Sequence, residues 1–116
     1  ELRLKKTVAR LATYLQGYGD LLVTTTDWDP AVLQRFREDP VVTSIAGGID
    51  HKGTPAQIEH IATLIPDEWL EPSATGSANQ CVDRIRKEFD YGADAVIMHG
   101  ATPDELEPIV TYYREL

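Results

Sequence analysis

The sequence predicts an α/β fold, helix-rich with one or two parallel strands, as the C-terminal part of a larger parallel α/β protein. Three observations carry that expectation. Residues 93–99, "ADAVIMH", are apolar on both faces, as in a strand buried between neighbours. The last third of the chain reads helix, strand, helix with tight turns, which is half of a repeating α/β unit. The chain opens on "ELRLKK", mid-helix in character and without methionine, as a processed or truncated piece of something longer would.

The elements follow in order. Leu4, Val8, Leu11 and Leu15 recur at helical spacing and form one apolar stripe, which "GYG" at 17–19 is expected to end. "DLLVTTTDW" has the β-branched content of a strand, yet Asp20 is able to cap a second short helix, which is the favoured reading. "DPAVLQRFRED" starts with Asp29 as N-cap and Pro30 at the first helical position, buries Val32, Leu33 and Phe36, and ends at Asp39–Pro40. "VVTSIAGGID" fits a short strand or a short helix broken at Gly47–Gly48.

Thr54, Pro55 and Gln57 spell a capping box, followed by Ile58, Ile61 and Ile65 on one face. A short strand is expected near 69–71. Ser77 and Gln80 repeat the helix-start device, with Val82, Ile85 and Phe89 as the stripe and Gly92 as the stop. After the strand at 93–99, Thr102, Pro103 and Glu105 cap the last helix, whose stripe is Leu106, Ile109, Val110 and Tyr113.

Composition bounds the function classes. The 116 residues carry a formal net charge of −8 from 11 basic and 19 acidic side chains. The basic residues are scattered beside carboxylates, as in "DRIRKEFD", which argues against nucleic acid, since phosphate backbones require clustered Lys and Arg. One cysteine, Cys81, excludes an intrachain disulfide and suits a reducing cytoplasm. No apolar run reaches the ~20 residues of a membrane span, and no signal peptide opens the chain.

"GSANQCVDRIRKEFDYGADAVIMHGATPDELEPIV" resembles the C-terminal end of the luciferase-like monooxygenase superfamily and, more closely, is similar to actinobacterial flavin- or deazaflavin-dependent oxidoreductases. The resemblance covers residues 69–113, with "RLATYLQGYGD" and "WDPAVLQRFRED" similar to that group's helical excursion. One departure is Ser77-Ala78-Asn79 where the family usually has Thr-Pro-Glu. The resemblance implies a (β/α)8 barrel, of which this chain is a C-terminal fragment. Residues 1–66 would be mainly the helical excursion, and 67–116 the last two βα units.

It also implies a hydride carrier, coenzyme F420 or FMN, and a small-molecule substrate. In such barrels sites lie at the C-terminal ends of strands, with phosphates near the last loops. Two loops then qualify. In "SATGS", Thr75, Gly76 and Ser77 would meet a cofactor, with Gly76 admitting close backbone approach and the next helix offering free amides. In "HGAT", His99 would be the catalytic acid or base and Gly100 a cofactor contact. A plain helix cap and a histidine satisfied by backbone are the bland readings of the same residues. His51 and His60 lie nine apart with no Cys or acidic ligand pattern nearby, and Cys81 reads as core.

The fragment alone is expected to be inactive. Its orphan strand is expected to pair with a second copy, giving a homodimer or higher oligomer. The alternative to the oxidoreductase is an acidic all-helical interaction module without catalytic activity.

Overall fold

A computed structural model describes residues 2–116. It divides the chain into two compact units, one running to Glu71 and the other Pro72–Leu116. All regular structure among the described residues is helical: α1 (Leu2–Leu4), a π-helical turn (Lys5–Ala9), α2 (Arg10–Thr25), α3 (Pro30–Glu38), α4 (Pro40–Ser44), α5 (Ile49–Lys52), α6 (Pro55–Ala62), α7 (Asp67–Leu70), α8 (Ala78–Asp90) and α9 (Pro103–Glu115).

In the first unit, local signals place the helix starts. Asp29 accepts from the amide of Ala31, Asp39 from those of Val41 and Val42, and Thr54 from that of Gln57, each with proline at the first helical position. The stripe on α1–α2 buries Val8 and Leu15 and half-buries Leu4 and Leu11. With Val32, Leu33, Phe36, Ile49, Ile58, Ile61 and Trp69 these form one continuous core. The helix does not stop at 17–19. Tyr18 takes φ −128°, ψ 17°, kinking α2 so that it continues to Thr25. Gly19 sits where a Cβ would lie 2.7 Å from Leu33 Cδ1, so its missing side chain lets α2 and α3 approach. Asp20 caps nothing and instead accepts from Arg37 at 2.8 Å. The ambiguous 41–50 stretch becomes α4 and α5, separated at Gly47, whose φ is +105°.

In the second unit, α8 and α9 pack on each other. Ser77 with Gln80 and Thr102 with Glu105 make reciprocal capping boxes. Helix α8 ends as a Schellman turn: the amide of Ala93 donates to the carbonyl of Glu88, and that of Gly92 to Phe89, with Gly92 at φ +104°. The unit buries only Cys81 and Val82 among its apolar side chains, and α9 buries none. Ile85, Leu106, Ile109 and Val110 are half-covered, while Phe89 and Tyr113 are exposed.

The expected α/β architecture is overturned: the chain does not build a fragment of a (β/α)8 barrel, because no strand exists among the described residues. Residues 69–71, expected as a strand, fall in and just after α7. Asp67 and Glu68 favour a helix start there, and Trp69, 3% exposed, joins the core and stacks on Trp28 with ring centroids 4.3 Å apart. Residues 93–99 have β propensity but no neighbour to pair with. A strand is defined by its ladder, so the segment stays irregular, with Ile97 90% exposed.

Candidate functional site

The residues singled out from the sequence all lie in the second unit. Thr75 is half-buried, Gly76 adopts φ +102°, and Ser77 is the N-cap of α8. The box around Ser77 is closed: its backbone amide donates to Gln80 Oε1 at 2.8 Å, and its hydroxyl accepts from the Gln80 amide at 3.2 Å. A Cβ on Gly76 would run into Gln80 Oε1, so the glycine makes room for the capping glutamine itself.

His99 is exposed, and Gly100 adopts φ +90°. The start of α9 beyond them carries its own carboxylates. Glu105 accepts from the Thr102 amide at 3.0 Å, and Asp104 stands in the same turn. A second anion there meets that negative charge rather than an open helix dipole.

Tyr112, in the last turns of α9, donates its hydroxyl to Asn79 Oδ1 at 3.0 Å in the first turn of α8. The two helices therefore run antiparallel. Helix α9, at ~1.5 Å per residue, separates the His99–Gly100 turn from the end where α8 starts. The loop with Thr75, Gly76 and Ser77 and the loop with His99 and Gly100 therefore lie toward opposite ends of the pair.

Cys81 is 4% exposed, its Sγ 3.9 Å from the Gly76 carbonyl, and burial pushes its thiol pKa up. This is the core setting expected of it, not that of an activated thiolate. No group of His, Cys, Asp and Glu suited to a metal occurs among the described residues. His51 is 84% exposed beside Asp50, while His60 Nε2 lies 2.9 Å from Asp39 Oδ2.

The polar groups that the fold brings together lie in the first unit. Arg10 Nε stands 3.4 Å from Asp50 Oδ2, and Thr13 Oγ1 is 3.0 Å from both Asp50 Oδ1 and the Asp50 amide. Gln16 accepts from the Ile49 amide and donates to the Gly47 carbonyl. These bonds clamp α5 onto the polar side of α2. Their partners are more than thirty residues apart, so no local pattern announces them. Beside this clamp is a pocket of about 110 Å3 lined by Leu4, Lys5, His51, Pro55, Ile58 and Glu59. Ligand pockets run from ~300 Å3 upward, so it is too small for a flavin ring.

No described helix is long and apolar enough to cross a membrane. Compared with protein-family models, curated proteins and solved structures, the chain matches none.

Proposed function

We propose that the chain serves a flavin- or deazaflavin-dependent oxidoreductase of the luciferase-like class, working on a small-molecule substrate in the cytoplasm. One observation carries the reading. Gly76, Gly92 and Gly100, the glycines around which the resembling motif is built, all adopt left-handed backbone, with φ of +102°, +104° and +90°. Only glycine takes up such angles without strain, so the three turns favour glycine at these positions, which supports the resemblance. The carrier, F420 or FMN, supplies the hydride chemistry, and the protein's part is to position and shield it. Within this reading His99 is the residue offered for acid–base work. The pocket beside α5 is too small for the carrier, and within this reading the isolated 116 residues are expected to be inactive.

The test is spectroscopic. Protein containing this chain, purified natively from its source, should carry a flavin or deazaflavin chromophore that bleaches on reduction. A colourless preparation that exchanges no hydride with reduced F420 or FMN would overturn the reading.

A second reading, an acidic all-helical interaction module, is favoured by a different observation: the first unit closes a core of its own from helices alone. A colourless protein that folds fully as these 116 residues would favour it.

A further inference from the structure

We infer that residues 94–99 are a docking strand, which adds by main-chain pairing to the open edge of a β-sheet in a partner rimmed by Lys and Arg. The inference does not depend on the oxidoreductase reading. Between the left-handed Gly92 and Gly100, the chain runs from Ala95 to His99 without a turn or a bend. The backbone amides of residues 94–99 make no hydrogen bond among the described residues. An extended, unpaired stretch of main chain is what strand addition requires. The side chains agree with this. Alternation puts Ala95, Ile97 and His99 on one face and Asp94, Val96 and Met98 on the other, so each face carries apolar side chains with one polar residue at an end. Ile97 is 90% exposed and Met98 36%. Apolar residues on both faces suit a sheet that is covered on both sides.

Charge narrows the partner. Asp90, Asp94, Asp104, Glu105 and Glu107 flank the segment and are all exposed, and no Lys or Arg occurs from 88 to 113. A second copy would bring the same carboxylates to the junction, so like charges disfavour it there. A basic-rimmed edge is drawn in and held in register.

The experiment uses the whole chain and, as probe, a synthetic strand of alternating valine and threonine with two lysines at each end. Amide hydrogen exchange should show residues 94–99 unprotected in the chain alone and protected with the peptide. The same peptide with glutamates in place of the lysines should bind at least ~10-fold more weakly, and added salt should narrow that gap. Val96→Pro removes a donor and should abolish protection. Ile97→Thr keeps the backbone and should weaken binding with helicity unchanged. Absent protection, equal binding of both peptides, or undiminished binding by Val96→Pro would each overturn the inference. So would self-association with the 94–99 amides already protected, which would make a second copy the occupant.

Discussion

The carboxylate of Asp39 joins two elements. Oδ1 accepts from the amides of Val41 and Val42 at the start of α4, and Oδ2 lies 2.9 Å from His60 Nε2 on α6. The hydrogen bond with His60 holds its pKa below the usual carboxylate value, against the desolvation that raises it, with the two amides and the His60 charge adding. A lowered folded pKa means that the unfolded chain binds the proton more readily. The stabilisation is complete above the ordinary carboxylate pKa of ~3.9 and is lost as pH falls through the lowered folded value. Asp39→Ala should cost about 1–2 kcal/mol near neutrality, the worth of a strong N-cap. Asp39→Asn should keep the cap yet flatten the acid limb of stability. Urea titrations at several pH values check both, and an unchanged acid limb in Asp39→Asn would refute the assignment. Gly76→Ala should cost about 1 kcal/mol or more. It combines strained left-handed backbone with displacement of the Gln80 side chain, and should appear as loss of α8 helicity on mild heating.

At the scale of elements, the helix starts at Asp29, Thr54, Ser77 and Thr102 were legible because a cap is a contact between residues two or three apart. The continuation of α2 through "GYG" was not, because Gly19 serves a neighbour remote in sequence. Gly19→Ala tests this. Helix propensity alone favours alanine by ~1 kcal/mol, but the new methyl meets Leu33, which is 3% exposed and has little room to move. The overpacking should win, with net destabilisation of about 1–2 kcal/mol in chemical denaturation. A stabilised variant would show that α2 and α3 are free to separate. The candidate loops were legible as turns, since Gly76, Gly92 and Gly100 do take left-handed backbone. Their distance from one another was not, because it depends on how α8 packs on α9.

For the whole molecule, burial is unequal. The first unit closes its core on fourteen buried apolar side chains, whereas the second buries two, Cys81 and Val82. Opening free energy follows buried contacts. Native-state hydrogen exchange should therefore show α8 and α9 opening at lower free energy than α2, α3 and α6. Limited proteolysis should cut first within 91–102, where the chain is irregular and exposed. Equal protection in both units would contradict this division.

What the sequence by itself determined is local: helix starts and stops, the apolar stripes, the left-handed glycines, and an acidic chain without a basic patch. These depend on neighbours within one or two helical turns. Only the tertiary structure decided that Trp69 packs in a helix against Trp28, that Asp39 and Asp50 each bind a residue far along the chain, and that the two candidate loops stand apart. It also decided that 93–99 is no strand. A helix closes its hydrogen bonds within itself, while a strand borrows them from a neighbour. The propensity of "ADAVIMH" was readable, but whether a neighbour exists is not written in those residues.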